Sequence, residues 1–319
     1  MPFPPPLPTS SESATVPRTV DSLLGKAQSP MAIACLGSLI ALSSDPLRLR
    51  LRDDGTLGAP ERERLAAELS SPHGAPSFVS REEADDLAAP WLSGRPALSR
   101  ARREHPLFLK LIDLAIPAAG EEVAYCDADV LFLRPFEGLF RFSSPSVGAV
   151  FMSDVQNAYS IRSWHLLRHR RLRLPQKVNS GLIFYRTAKF DPDLLEWYLL
   201  RPEFQFAPPW AEQTAWALLG GAAGCALYDP DQIAIPEAGG ALPADAVALH
   251  FVNPVRDRLA EALPRVFERR AEPPVGIRSA PARILSALAL AATETRRRLG
   301  RLGLGSARGT ARDDRKSVL

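Results

Sequence analysis

The stretch VAYCDADVLFL, residues 123–133, places two carboxylates inside an otherwise apolar run. Because an unpaired ion in a protein interior costs several kcal/mol, Asp127 and Asp129 indicate a strand that ends at Asp127 and opens into a cleft. Open α/β sheets bind ligands at the carboxyl ends of their strands, and carboxylates suit a hard cation, Mg²⁺ or Mn²⁺, that carries phosphates. The segment therefore predicts a metal–phosphate site, or else a structural turn capped by a strand-end Asp.

The composition is typical of a soluble globular protein, with 46% apolar and 24% charged residues in a chain of 319. The net charge is +3, but residues 294–319 alone hold eight Arg or Lys against three Asp or Glu. The rest of the chain is therefore close to neutral. This distribution argues against a basic nucleic-acid-binding domain, and we expect no nucleic-acid partner.

The three cysteines, Cys35, Cys126 and Cys225, are far apart and form no metal-binding or disulfide pattern. This usage fits a reducing compartment. The first residues lack the basic start and apolar core of a signal peptide, and the longest apolar stretches, residues 31–42 and 284–292, are too short to span a bilayer. We therefore expect a cytoplasmic location.

Strand and helix patterns alternate along the chain and predict an α/β protein. Residues 31–43 predict a buried strand that leads into a helix, and residues 47–52, where Leu and Arg alternate, predict a half-buried strand with Arg outward. Further strands are predicted at residues 122–126, 147–152, 177–185 and 246–252, and helices at 60–70, 103–115, 191–200, 211–219 and 257–269.

The chain divides into three predicted regions. Residues 1–28 are rich in Pro and Ser and are expected to be disordered, residues 29–275 form one domain, and residues 276–319 form a C-terminal helix with a basic tail. The apolar half and basic half of residues 284–304 leave two interpretations open. One is an interfacial helix in peripheral contact with an anionic membrane, and the other is a docking helix with a solvated tail.

Polar motifs recur within apolar surroundings, and together with the paired acids they resemble the GT-A-fold nucleotide-sugar glycosyltransferases. The resemblance is strongest to the retaining family 8 type, which includes glycogenin and bacterial lipooligosaccharide galactosyltransferases, and it runs from about residue 32 to residue 267. Five short motifs carry it: FLKL (108–111), YCDADV (125–130), NSGL (179–182), EQ (212–213) and LHF (249–251).

The resemblance implies a single Rossmann-like nucleotide-diphospho-sugar transferase domain with a mixed central sheet. In that domain Asp127, Asp129 and His250 hold Mn²⁺ or Mg²⁺. It implies a nucleotide-diphosphate sugar donor, most often a UDP-sugar, and transfer to a glycan, lipid-linked or protein acceptor with retention of configuration. The catalytic positions it implies are Glu212 and Gln213, near the anomeric carbon. The substrate-binding positions are Lys110 at the diphosphate or the donor sugar, and Asn179, Ser180 and Gly181 at the sugar.

Two departures from the family pattern affect the substrate-binding assignments. The family's His-Phe-x-Gly-x-x-Lys motif reads HFVNPVR at residues 250–256, so Arg256 stands in place of Lys; a guanidinium still binds diphosphate. The first strand lacks the usual Asn-x-Asp. Asp53 or Asp54, with Asp54 preferred, is assigned to the nucleotide base instead, although Asp53-Asp54-Gly55 is also an ordinary turn sequence.

Other interpretations are open for the whole chain and for single residues. A phosphatase of the haloacid dehalogenase type also places Asp-x-Asp after an apolar strand, but the motif there lies near the start of the domain and a second acidic motif follows, which this sequence lacks. A degenerate transferase that binds a sugar nucleotide without turnover would fit the altered segment after His250. His250 is also readable as a core histidine, and Lys110 as a solvated helix residue.

Overall fold

The computed structural model describes residues 16–115, 122–204 and 210–301. Its strands are β1 (Arg18–Leu24), β2 (Leu47–Asp53), β3 (Ser77–Val79), β4 (Glu122–Cys126), β5 (Val130–Phe132), β6 (Phe136–Glu137), β7 (Ala149–Ser153), β8 (Val178–Arg186), β9 (Cys225–Tyr228), β10 (Ile233–Ala234), β11 (Ala248–His250), β12 (Val275–Gly276) and β13 (Ser279–Pro281). Its helices are α1 (Ser29–Leu42), α2 (Ala59–Glu68), α3 (Arg81–Leu92), α4 (Pro96–Glu104), α5 (Leu107–Ala115), α6 (Ser163–Arg168), α7 (Pro192–Leu199), α8 (Ala211–Ala223), α9 (Leu259–Glu268) and α10 (Ala287–Arg301).

Eight strands form the main sheet in the order β13-β9-β7-β8-β4-β1-β2-β3, and β10, β11 and β5 form a smaller sheet. Strands β8 and β13 run antiparallel to their neighbours, and the other strands of the main sheet run parallel. The predicted mixed α/β sheet is thus confirmed. The ends of β1, β2, β4, β7 and β9 and the start of β8 all meet at one edge, which we call the carboxyl edge.

Helices cover both faces of the main sheet, because its strands alternate apolar side chains between two cores. In β4, Ala124 and Cys126 pack with α1, α2 and α9, whereas Val123 and Tyr125 pack with α4, α5, α7, α8 and α10. The strand predicted at residues 122–126 is therefore buried on both sides. The helix predicted at residues 103–115 is interrupted before Pro106, and α5 begins at Leu107.

The N-terminal prediction is wrong for residues 18–28, since Arg18–Leu24 is a strand beside β4 in the middle of the main sheet. Its polar Asp21 is only 1% exposed. The side chain accepts hydrogen bonds from Arg50 Nε at 2.7 Å and from Arg52 Nε at 2.7 Å. A neighbouring strand therefore supplies the charges that let an acid lie in a core strand. Residues 1–15 lie outside the described part.

Residues 31–42 are helical throughout, within α1, and Ser43 follows its end, so the predicted strand before the helix is absent there. Pro30 lies in the first turn of α1, where a proline costs no hydrogen bond. The helix is buried almost all round, and a fully apolar run does not distinguish a buried helix from a buried strand by periodicity.

The alternating strand β2 also differs from expectation, because only Arg48 of its arginines is exposed and Arg52 is 3% exposed. Leu47, Leu49 and Leu51 are buried, as expected. Both faces of the strand are covered at its carboxyl end, since the consecutive residues Arg52 and Asp53 are both buried, and Arg52 pairs there with Asp21.

The predicted domain boundary at residue 275 falls inside the fold, because β13 pairs with β9 at the end of the main sheet. Helix α10 is docked: the carboxylate of Glu294 accepts hydrogen bonds from the amide of Ser163 at 3.2 Å and from its hydroxyl at 3.1 Å. Leu290 of the same helix is 1% exposed. The basic tail beyond residue 301 lies outside the described residues, and within those residues no helix has the length and apolarity to cross a membrane.

Candidate active site

Strand β4 ends at Cys126, so Asp127 begins the connection that leaves the carboxyl edge, as the sequence predicts. The amide of Asp127 donates to the carbonyl of Gly181 in β8 at 2.8 Å. The hydroxyl of Tyr125 donates to Asp127 Oδ1 at 2.6 Å. These contacts hold the carboxylate at the edge of the sheet, where its side chain remains 24% exposed.

Long-range strand pairing brings His250 to the paired acids. Strand β11 runs antiparallel to β5 with His250 opposite Val130, and the amide of Phe251 donates to the carbonyl of Asp129 at 2.8 Å. As a result, His250 Nε2 lies 3.0 Å from Asp129 Oδ1 and 3.8 Å from Asp127 Oδ2. The three residues that the resemblance names as metal ligands form one cluster.

The second ring nitrogen of His250, Nδ1, is held by β8. Asn179 Oδ1 accepts a hydrogen bond from the amide of Gly181 at 2.9 Å and lies 3.1 Å from His250 Nδ1. Since an amide oxygen is an acceptor, Nδ1 carries the proton, which turns Nε2 toward the two acids. A Cβ atom on Gly181 would lie 2.5 Å from Cε1 of the imidazole, so only glycine fits at this position.

The charges in the cluster shift one another's pKa values. Burial lowers the pKa of His250, but the negative charges of Asp129 and Asp127 outweigh it and raise that pKa above its ordinary value. Burial raises the pKa of Asp129, but His250 and Arg256 outweigh it and lower that pKa to about 2. Asp129 is therefore ionised at neutral pH and attracts cations.

The donor set fits a divalent cation. One oxygen from Asp127, one from Asp129 and a nitrogen of His250 all lie within 4.8 Å of one another. Ligands of one octahedral ion at about 2.1 Å stand about 3 to 4.2 Å apart, so small side-chain rotations suffice. Two carboxylates and one imidazole are a suitable set for Mn²⁺ or Mg²⁺. Arg256 Nη2 donates to the remaining oxygen of Asp129 at 2.7 Å.

Lys110 is buried rather than solvated, with 3% of its surface exposed. From α5 its Nζ donates to both carboxylate oxygens of Asp127 at 3.1 Å and to Ser180 Oγ at 3.2 Å. Burial lowers the pKa of Lys110, but Asp127 and Glu212 outweigh it, and the pKa lies above its usual value. The ammonium group is therefore a permanent positive charge behind Asp127.

Glu212 opens α8 and is 3% exposed. Ser180 Oγ donates to its Oε2 at 3.0 Å, and Lys110 Nζ lies 3.7 Å from its Oε1. Burial is the main cause that raises the pKa of Glu212 to about 7, and Lys110 acts in the opposite direction. A carboxyl group that titrates near neutral pH can exist in either protonation state at the site.

Gln213 forms a hydrogen bond with Asp154, a residue that the sequence analysis did not assign to the site. Its Nε2 donates to the carbonyl of Ala158 at 2.9 Å and to Asp154 Oδ2 at 3.3 Å. Asn179 Nδ2 reaches the same Asp154 oxygen at 3.5 Å. Asp154 directly follows β7, so an acid just after a core strand was the signal that could have identified it. Its burial raises its pKa despite these hydrogen bonds.

Asp54 lies apart from this cluster, at the carboxyl end of β2, two strands away from β4. That separation is about 10 Å at the usual strand spacing. Its carboxylate accepts from Thr56 Oγ1 at 2.6 Å, while neighbouring Asp53 accepts three backbone amides in the turn and pairs with Arg62. The two acids thus share one turn, with Asp54 beside Gly25 at the end of β1.

Comparison with known proteins identifies the fold. No protein-family model and no curated protein matches the sequence. Among solved structures, mouse xyloside xylosyltransferase 1 aligns with a TM-score of 0.54 at 14% identity, covering 75% of this chain and 99% of that one. The bifunctional glycosyltransferase WbbM aligns with a TM-score of 0.51 at 9% identity, over 82% of this chain. This chain spans about half of the WbbM chain, 53%.

The galactosyltransferase LgtC, in complex with donor and acceptor sugar analogues, aligns with a TM-score of 0.46 at 15% identity, over 81% of this chain and 98% of that one. The likeness to the first two structures shows that this chain has the GT-A glycosyltransferase fold. The predicted fold class is confirmed, and the fold does not favour the phosphatase alternative.

Proposed function

We propose that this chain is a metal-dependent glycosyltransferase that moves a sugar from a nucleotide-diphosphate donor to a glycan, lipid-linked or protein acceptor. One observation carries the proposal: Asp127, Asp129 and His250 converge at the carboxyl edge of a GT-A fold. The UDP-sugars are the donors that the sequence resemblance favours.

Asp127, Asp129 and His250 would hold Mn²⁺ or Mg²⁺. A divalent cation bound there supplies positive charge to the diphosphate that leaves during transfer. Lys110, buried and protonated, adds a second positive charge behind Asp127. The side chain of Arg256 is 44% exposed, so it is free to turn from Asp129 toward the diphosphate. Its planar guanidinium group matches the spacing of phosphate oxygens.

Retention is the stereochemical outcome that we propose. The acceptor hydroxyl oxygen forms a bond to the anomeric carbon, the bond from that carbon to the diphosphate oxygen breaks, and the hydroxyl proton passes to the departing phosphate. Gln213 and Glu212 would line the face of the sugar, where an oxocarbenium-like charge develops. An amide is a poor nucleophile, so Gln213 is assigned to stabilising this charge and not to attack.

Asn179, Ser180 and Gly181 are proposed to line the donor sugar site, and Asp54 the nucleotide base. The contacts that support this are those of β8: Gly181 brings bare backbone against His250, and Ser180 connects Lys110 with Glu212. Asp154 joins this group through its hydrogen bonds with Asn179 and Gln213.

Thermal-shift titration with UDP-, GDP- and CMP-sugars, with and without Mn²⁺, tests the proposal, since a ligand that binds only the native state raises its stability. We expect stabilisation that needs both metal and one class of nucleotide, and its loss in Asp127→Asn and Asp129→Asn. The exposed Asp86→Asn is the control and should behave as wild type. Equal donor affinity in wild type and both site variants would contradict the assignment of Asp127 and Asp129 as metal ligands. Donor binding without release of the nucleotide diphosphate would favour the non-catalytic alternative.

A further inference from the structure

A cavity of about 500 Å³ opens on the carboxyl edge beside the candidate active site. It lies at the ends of β7 and β9, between the start of β8 and the segment 278–283. Its lining residue Ser153 directly precedes Asp154, and its lining residue Lys177 is two positions before Asn179. The amide of Asp154 donates to the carbonyl of Lys177 at 2.6 Å, so the lining of the cavity directly adjoins Asp154.

Positive charge dominates the wall of this cavity. Its lining includes three cations, Lys177, Arg278 and Arg283, and one carboxylate, Asp229. Arg278 donates to Asp229 Oδ2 from two nitrogens, at 2.9 and 2.6 Å, so these two charges neutralise each other. Lys177 and Arg283 are exposed, and neither side chain has an ion-pair or hydrogen-bond partner within the residues that the structure describes.

Backbone hydrogen bonds join the two segments that carry these free cations. The amide of Gln176 donates to the carbonyl of Arg283 at 2.7 Å, and the amide of Leu285 donates to the carbonyl of Leu174 at 2.7 Å. The two segments are thus paired like strands. Lys177 has a φ of 56°, the one positive value outside glycine in the described residues. Such a conformation costs about 1 kcal/mol or more, and here the flanking pairing holds it.

The rest of the lining is largely apolar or small, with Leu227, Pro230 and Pro281 among its members. The cavity therefore suits an amphipathic molecule that carries an anionic group. The end of β9 is three strands along from the end of β4, about 14 Å at the usual spacing. Lys177 directly precedes β8, the strand paired with β4, so the cavity extends from the active site outward to the end of β9.

We infer that this cavity receives the acceptor, and that the acceptor carries a phosphate or carboxylate group bound by Lys177 and Arg283. That the ligand is the acceptor rests on the proposed transferase function. Its physical basis is the cavity itself: two unpaired cations on paired backbone segments, adjacent to Asp154. Phosphate and carboxylate oxygens accept charge-assisted hydrogen bonds from such groups. The anion belongs either to a glycan or to a lipid headgroup.

Direct binding measurements in metal-free buffer test the inference without a donor. The soluble probes are glucose 6-phosphate, glucuronate and neutral methyl glucoside, and the lipid probes are phosphatidylcholine vesicles with and without phosphatidic acid. Wild type is compared with the double variant Lys177→Gln/Arg283→Gln. Arg48→Gln is the matched control, because Arg48 is an exposed arginine near the start of β2, away from the carboxyl edge.

We expect wild type to bind an anionic probe in preference to its neutral counterpart, and the double variant to bind it at least about tenfold more weakly. Arg48→Gln should bind as wild type. Preference for the soluble anions identifies a glycan source, and preference for phosphatidic acid vesicles identifies a lipid source. Equal binding by wild type and the double variant, or no preference for an anion, overturns the inference.

The metal-dependent donor titration on the same double variant separates this inference from the proposed function. We expect its donor-dependent stabilisation to be that of wild type, because Lys177 and Arg283 do not contact Asp127, Asp129 or His250. Loss of that stabilisation in the double variant would contradict a separate acceptor site. If wild type binds the anion through Lys177 and Arg283 but shows no donor effect, the anion site stands and the transferase function fails.

Discussion

The backbone of Gly181 and the imidazole of His250 occupy adjoining space, so that a Cβ atom added to Gly181 would lie 2.5 Å from Cε1 and 2.6 Å from Nδ1 of His250. The same imidazole is held by Asn179 on one side and Asp129 on the other. A side chain at position 181 would therefore act on the candidate metal site through the position of a single ring.

Gly181→Ala should weaken Mn²⁺ binding by about tenfold or more, because the ring must leave the position at which Asn179 orients it. It should also lower the free energy of unfolding by about 1 to 3 kcal/mol through overpacking. Metal titration and denaturant unfolding measure the two effects. Gly276→Ala is the control, since a Cβ there meets nothing within 4 Å. If Gly181→Ala binds Mn²⁺ as tightly as wild type, His250 is not a metal ligand and its role is structural.

Arg256→Ala should have opposite effects on metal and donor. Arg256 Nη2 now occupies one oxygen of Asp129 at 2.7 Å, so its removal frees that oxygen and should tighten binding of Mn²⁺ alone. Donor binding in saturating Mn²⁺ should weaken several-fold, because a phosphate ligand is lost. Calorimetric titrations of Mn²⁺ and of the donor separate the two effects. If both affinities change in the same direction, Arg256 does not alternate between Asp129 and the diphosphate.

Glu212 should make the protein less stable as pH rises. Its pKa is raised from 4.5 to about 7 mainly by burial, so between these values the folded state holds a proton that the unfolded state has lost. Stability from this group is therefore greatest below pH 4.5 and falls until about pH 7. The effect is at most about 3 kcal/mol. Denaturant unfolding at several pH values measures it.

Glu212→Gln is the matching variant, because an amide resembles the protonated carboxyl and still accepts from Ser180. Its unfolding free energy should depend less on pH across this window than that of wild type. The difference in unfolding free energy between Glu212→Gln and wild type should therefore be more favourable to the variant above pH 7 than at pH 4.5. Parallel pH profiles for the two proteins would contradict the raised pKa.

The buried ion pairs of Asp21 should be essential for the N-terminal strand. Asp21→Asn removes the charge that faces Arg52, which is 3% exposed, and leaves that cation without its counter-ion. Loss of one partner of a buried pair costs about 3 to 5 kcal/mol. Denaturant unfolding measures the loss, with the exposed Asp231→Asn as control. A change below about 1 kcal/mol would mean that β1 contributes little to the fold.

Local patterns in the sequence predicted much of the fold and the chemical types at the site. The apolar run before Asp127 was sufficient to predict a strand that ends at Cys126, because period and polarity act over a few residues. The motif order indicated the GT-A fold. The strand at Arg18–Leu24 was missed because Asp21 is neutralised by arginines from β2, a contact that no local pattern contains.

Sequence alone determined which residue types were available: paired acids after an apolar strand, a histidine in another apolar strand and a lysine in an amphipathic helix. Only the tertiary structure decided which of them meet. The antiparallel pairing of β11 with β5 sets His250 opposite Val130 and so against Asp129, and the packing of α5 buries Lys110 behind Asp127. The physical reason is that pairing between distant segments depends on register and on burial summed over the whole core, which residue spacing along the chain does not encode.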